Sequence, residues 1–177
     1  MKKVVFIIFI PIVCFVLLTL LVCFMFPKKY ESVIDEFANK YGVEKSMVYA
    51  VINVESGFDT KTVSSVGAVG LMQIMPTTAE ECAEKLQLED IDLYDVETNI
   101  KIGCYYISYL MKIFDGNIKN VLSAYNWGLG NVNDWIKEGN VDEDGSIENV
   151  PVDETRMYYV KCKINMWVYK NLRGVNF

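Results

Sequence analysis

A mainly α-helical domain behind one apolar amino-terminal helix is the architecture this sequence predicts, on three observations. Apolar residues recur at three- and four-residue spacing in most stretches after residue 30, the period of a helix face. No alternating apolar–polar run of strand length occurs. After Lys2 and Lys3 the chain runs through 23 uncharged residues, Val4 to Phe26, broken in character only by Pro11 and Thr19.

That first stretch is long enough to cross a bilayer, which takes about 20 residues. A cleaved secretory signal has a shorter apolar core of roughly 7–15 residues and small residues at its end. Leu20, Leu21, Val22 and Cys23 supply no small residue there. Residues 1–29 are therefore read as a membrane anchor with its span at about 4–26, a long signal peptide being the alternative. Lys2 and Lys3 on one side face Lys28 and Lys29 on the other, so charge alone leaves the orientation open.

Residues 30–177 have the length of one domain with a proper core. Val33, Ile34, Phe37 and Tyr41 make a first amphipathic helix stopped by Gly42. Val48, Val51, Ile52 and Glu55 share one face of a second, ended near Gly57. Pro76 can start a third, running to about Leu86. Ile100, Cys104, Ile107, Met111 and Phe114 form a stripe closed by Asp115-Gly116. Val121, Leu122 and Tyr125 lead into a loop at Tyr125–Gly130, and Val132, Trp135 and Ile136 suggest a further short helix. Gly139 to Asn149 reads as a solvated, acidic loop. Met157, Val160, Ile164, Trp167 and Asn171 mark a long final helix.

Composition excludes several kinds of chemistry. Beyond residue 30 the chain holds 13 basic and 23 acidic residues, a net charge of −10. This argues against nucleic acid, which requires a basic face, and against adhesion to anionic wall polymers by bulk charge. There is no histidine, so Ser–His, Cys–His and His–zinc sites are ruled out and carboxylates remain. Cys82, Cys104 and Cys162 stand at helical spacings without a metal pattern and read as small buried apolar residues. Their odd number leaves at least one free thiol.

The chain is organised around Val48 to Pro76. Glu55 falls in the last turn of its helix, on the core side, with no Lys or Arg within five residues. Burial and the negative end of the helix dipole both raise the pKa of such a carboxyl. A carboxyl kept protonated near neutral pH serves as a general acid; a core-facing Glu paired with a distant Arg, or one reaching solvent at the helix end, is the alternative. Gly57, Gly67 and Gly70 then mark tight backbone, and Gln73 stands alone among Leu71, Met72, Ile74 and Met75. That is the composition of a small polar ligand site.

Four motifs carry a resemblance. Glu55-Ser56, Phe58 and Gly67 to Pro76 with Thr78-Ala79 form E-S-x-F-x(8)-G-A-x-G-L-M-Q-x-M-P-x-T-A. Asn99-Ile100, Gly103 and Tyr106 follow, then Ala124 to Gly130, then Val150-Pro151, Glu154-Thr155-Arg156 and Tyr159-Val160. In this order they resemble the soluble-lytic-transglycosylase family, which cleaves peptidoglycan strands on a lysozyme-like α+β fold. The resemblance implies a small β or loop region, for which Thr60 to Ile74 is the candidate.

It also implies roles. Glu55 becomes the sole acid/base. Ser64, Gln73 and Met75 match positions lining the sugar cleft, against loop capping for the serine and core filling for the methionine. Tyr125 and Asn126 match the loop over the catalytic Glu, where a tyrosine hydroxyl bonds carboxyl or sugar. Glu154 and Arg156 match the family's E-T-R segment or form an ion pair tethering the last helix, with a structural role for Arg156 ahead of a catalytic one. Trp127 and Leu129 depart from the family pattern, and a tryptophan there would stack on a sugar or narrow the cleft.

The reaction implied is cleavage of the β-1,4 bond between N-acetylmuramic acid and N-acetylglucosamine, giving a 1,6-anhydro end. It requires no metal or cofactor. A goose-lysozyme-type muramidase would share the Glu and use water, with Asp59 the first carboxylate to consider. A non-catalytic wall-binding protein would have no need of Glu55. The expected partners are glycan strands and the membrane, with the catalytic domain outside the cell.

Overall fold

The computed structural model describes the backbone of residues 2–175 and the side chains of residues 9–175. Eight helices are found among them: α1 Lys2–Met25, α2 Glu31–Tyr41, α3 Lys45–Glu55, α4 Pro76–Leu86, α5 Val96–Ile113, α6 Ile118–Trp127, α7 Leu129–Lys137 and α8 Asp153–Asn171. α4 has Pro76 in its first turn, where a missing N–H costs nothing. α2 stops at Gly42, whose φ of 67° lets its N–H reach the carbonyls of Ala38 and Asn39.

α3 is the axis of the domain. Ser46 through Ile52 are all buried, so this helix is covered on every side rather than on one face. α2 packs on it from one side and α8 from another, α8 also meets α6, and α5 joins α2, α4 and α6. The β element is slight. Val69 bridges both Val63 and Ile74 within the expected Thr60–Ile74 stretch, and a further bridge joins Val141 to Ile147.

Two glycines allow this packing. A Cβ on Gly70 would lie 2.3 Å from both the Asn99 amide and the Leu93 carbonyl, and its φ is 79°. One on Gly103 would lie 2.3 Å from the Met72 sulfur. The 60–74 loop is thereby seated directly on α5.

Three expectations change. Met157, Val160, Ile164 and Trp167 do not face the core; all four are exposed, and Thr155, Tyr158, Cys162, Met166 and Tyr169 are the buried side of α8. The helix has apolar residues on two faces, and spacing alone does not say which one is covered. The Tyr125–Gly130 loop is instead the end of α6 and the start of α7, broken only at Gly128 with φ 94°. The 139–149 stretch is acidic but pinned. Asn120 donates to the Gly145 carbonyl at 2.9 Å and accepts from the Ile147 N–H at 2.8 Å. Asn117 donates to the Ser146 hydroxyl, and Ile147 is wholly buried.

All five cysteines are free thiols, with Cys82, Cys104 and Cys162 buried. Burial pushes the Cys82 and Cys162 thiols up to about 11 and about 12, so both are un-ionised.

Among the described residues no helix is long and apolar enough to cross a membrane. The first part of the expected span falls outside the residues whose side chains are described. α1 itself joins the domain at its carboxyl end, where Asn53 donates to the Met25 carbonyl, Tyr169 to that of Pro27 and Arg173 to that of Phe26.

Candidate active site

Glu55 is the last residue of α3. Three buried residues in the two turns behind it (Val48, Val51 and Ile52) fix its direction. Ser56 caps the turn and also donates to the Leu71 carbonyl at 2.8 Å, tying the end of α3 to the glycine-containing loop. Gly57 turns left-handed at φ 60°, as the sequence predicts.

The Glu55 carboxyl is pushed up to about 7, first by burial and then by the charge of Glu154. A nearby Tyr158 hydroxyl pulls it partly back, because an O–H donor favours the ionised carboxylate. This tyrosine is buried, and its oxygen has no partner at ordinary hydrogen-bond geometry among the described residues. Substituting Tyr158→Phe is expected to move the alkaline limb of any Glu55-dependent pH profile upward. An unmoved limb would show that the hydroxyl does not address Glu55.

Gln73, Met75, Thr78, Tyr106, Tyr125, Asn126 and Trp127 wall a cavity of about 210 Å³. Glu55 is not among its walls. The link is Tyr125, which lines the cavity and whose hydroxyl is held well above its usual range by burial and by the Glu55 charge. That hydroxyl donates to the Met72 carbonyl at 2.8 Å, so its proton is committed to the loop rather than to carboxyl or sugar. The ring stacks obliquely on Tyr106 with centroids 5.6 Å apart.

The other residues singled out by sequence fall into three groups. Met75 is exposed in the cavity wall and fills no core. Gln73, at φ 48°, donates to the carbonyls of Thr62 and Gly70 at 3.0 and 2.8 Å, which leaves its oxygen for a ligand. Asn126 lines the cavity while its oxygen accepts from the Thr155 hydroxyl. Ser64 instead accepts from the Ala68 N–H at 2.9 Å and closes its own loop. Trp127 is half-buried at the end of α6 and packs edge-on against Trp135, with centroids 6.2 Å apart. It is less free than a loop tryptophan, because helical backbone and a second indole already hold it.

Glu154 is exposed in the first turn of α8, close enough to Glu55 to raise its pKa. Its expected pairing with Arg156 is not formed; Arg156 binds Asp153 and the Val150 carbonyl. The i,i+3 spacing within one helical turn favours Asp153 as the partner. Arg156 is thus a tether for the start of α8. Asp59 accepts from the Lys61 N–H, and its charge does not contribute to the Glu55 shift.

Two further residues shape the site. Asn99 is buried and holds the loop by three bonds: it accepts from the Met72 N–H at 2.8 Å and donates to Val69 and Leu93 carbonyls at 3.0 and 2.8 Å. Tyr158 lies one residue before the tyrosine quoted in the Glu154–Val160 motif. The helical period could have found it, since Tyr158 and Cys162 are four apart on one face.

A helical domain with a raised-pKa carboxyl at the end of a buried helix, linked through Tyr125 to a tyrosine-lined cavity, is a lysozyme-like arrangement. Residues 32–146 match the Transglycosylase SLT domain, and the chain belongs to that family. It is 34% identical over 155 residues to the soluble lytic murein transglycosylase of Salmonella typhimurium, covering 84% of this chain and 24% of the relative. It is 36% identical over 116 residues to the membrane-bound lytic murein transglycosylase C of Yersinia pestis, covering 59% and 32%. Among solved structures, the lytic transglycosylase Slt of Pseudomonas aeruginosa superposes with a TM-score of 0.77 at 31% identity, over 86% of this chain and 25% of that one. The 70-kDa soluble lytic transglycosylase in complex with bulgecin A gives 0.77 at 33%, over 84% and 25%. The chain therefore spans about a quarter of the length of the soluble relatives it matches.

Proposed function

We propose that this chain is a peptidoglycan lytic transglycosylase that cleaves the β-1,4 bond between N-acetylmuramic acid and N-acetylglucosamine without water. The observation that carries this reading is Glu55, a carboxyl held protonated up to about pH 7 next to the tyrosine-lined cavity. Protonated Glu55 donates to the bridging oxygen and the C1–O bond breaks. The substrate's N-acetyl group shields the cationic C1, as in substrate-assisted exceptions to the two-carboxylate scheme. The C6 hydroxyl attacks C1 and returns its proton to Glu55, so the enzyme is regenerated and a 1,6-anhydro ring closes. The attack is intramolecular, with the high effective concentration that implies. Gln73, Met75, Tyr125, Asn126 and Trp127 bind the strand.

Mass analysis of products from purified peptidoglycan tests this. Anhydro ends are lighter by one water and resist borohydride reduction. A digest dominated by reducible ends would replace the reading by that of a goose-lysozyme-type muramidase. One observation favours that second reading: the Glu154 charge reaches Glu55, as a carboxylate that positions water would. It makes Glu154, not Asp59, the residue that separates the two mechanisms. In the transglycosylase reading Glu154→Gln retains most cleavage, whereas in the hydrolytic one it loses ~10²-fold or more.

We also infer that residues 4–26 anchor the chain in a membrane by a single pass, with the domain outside. The support is the uncharged 23-residue run and its continuous helix, with outward Phe15 and Phe24. The chain is expected to stay with membranes through a high-salt wash, since screening does not release an apolar span. Recovery of a processed chain beginning near Phe26 would show a cleaved signal instead.

A further inference from the structure

α8 has a second apolar face that is left exposed among the described residues. Met157, Val160, Ile164 and Trp167 are 53%, 44%, 55% and 57% exposed. They are spaced three, four and three residues apart, and Asn171 follows after four more. That is the narrow seam of a two-helix coiled coil, not the wider stripe of a helix seated on a core. An isolated exposed apolar residue needs no explanation, but an ordered row of four does.

The flanks of the seam carry Arg156, Lys161, Lys163 and Lys170. Arg156 is engaged by Asp153, and Lys170 reaches Glu44 at 3.3 Å. Lys161 and Lys163 are exposed and form no ion pair among the described residues. This basic border is unusual on a domain of net charge −10. Beside the seam, Ile164, Met166 and Trp167 wall a groove of about 480 Å³ against Glu44 and Ser46 at the start of α3.

We propose that the exposed α8 seam docks an amphipathic helix of a partner protein whose apolar stripe is bordered by acidic residues. The apolar row supplies the contact, the groove receives a knob, and Lys161 with Lys163 select the acidic border. A polar residue at a seam position, as Asn171 is, sets register at some loss of stability. A second copy of this chain fits poorly, because it brings like charges to the same border. A membrane surface fits poorly as well. The end of α1 is bound by Tyr169, two residues after Trp167 and on the opposite side of the helix.

The test uses the full chain in zwitterionic micelles and two synthetic helices. Both carry leucine at the seam positions; one has glutamate on its flanks and the other lysine. The glutamate helix is expected to bind at least tenfold more tightly. Ile164→Glu, a surface change, should abolish that binding, and Lys161→Glu with Lys163→Glu should reverse the preference. Binding of neither helix, or of both equally, overturns the proposal. So does Ile164-dependent self-association without any helix, which would make a second copy the occupant. Quenching of Trp167 by brominated lipid in anionic vesicles, read as the difference from Trp167→Phe, would make it the membrane and likewise overturn the proposal.

Discussion

Glu55→Gln is expected to lower glycan cleavage by about 10³–10⁴-fold, the upper part of the range for a group that is both acid and base. The same substitution should stabilise the domain at alkaline pH. In the folded chain the carboxyl titrates near 7, against an ordinary 4.5, so the folded state binds the proton more tightly than the unfolded one. Its stabilising preference is fully present below about pH 4.5 and is lost as pH rises towards 7. Above that, wild type carries a buried anion that the neutral amide avoids. The gain from Gln should be on the order of 1–3 kcal/mol at pH 8 and near zero at pH 4. Cleavage by wild type should fall about tenfold per pH unit above 7 as the acid form disappears. Unfolding curves at both pH values, with kcat/KM against pH, check all three. Retention of substantial activity by the variant would remove Glu55 from the role of acid.

Asn99→Ala should have the largest effect on stability, about 3–5 kcal/mol. The side chain satisfies one buried N–H and two carbonyls of the segment running from Val69 to Leu93. Truncation orphans the Met72 N–H and the Leu93 carbonyl, at roughly 1–3 kcal/mol each when no water replaces them, while the Val69 carbonyl keeps the Ile74 N–H. For a chain of this size that corresponds to a fall of about 10 °C or more in Tm. Activity should fall beyond what unfolding explains, even at low temperature where the variant remains folded. The loop positions Gln73 and Met75 in the cavity and gives Tyr125 its acceptor at Met72. A melting temperature within 2–3 °C of wild type would show that the Gly70 and Gly103 contacts suffice to seat the loop.

The carboxyl at the centre of the site was legible for a physical reason. Val48, Val51 and Ile52 place Glu55 on the buried side of a helix, and Gly57 ends that helix two residues later. Both facts are local and both raise a pKa. The bounds of α4 were legible in the same way, since Pro76 can begin a helix. Of the cavity residues, Gln73 was marked by composition, as one amide in an apolar stretch, and Met75 by a family resemblance.

What the linear pattern left open was decided by contacts between segments far apart in the chain. Tyr125 offers a hydroxyl, but only the approach of Met72, 53 residues away, commits its proton to a carbonyl. The acidic 139–149 stretch reads as solvated until Asn117 and Asn120 bond its backbone and side chains. α8 shows the limit most clearly. Both its faces are apolar, and a helical period is blind to which of them meets a neighbour. Packing against α3 and α6 buries Tyr158, Cys162 and Tyr169 and leaves Met157, Val160, Ile164 and Trp167 outside. The sequence by itself determined where α2 and α3 stop, where α4 begins and which carboxyl lies at a buried helix terminus, because those depend on neighbours within a few residues. Only the tertiary structure decided which apolar face is core and which polar groups are already satisfied, because burial and hydrogen bonding are properties of segments brought together.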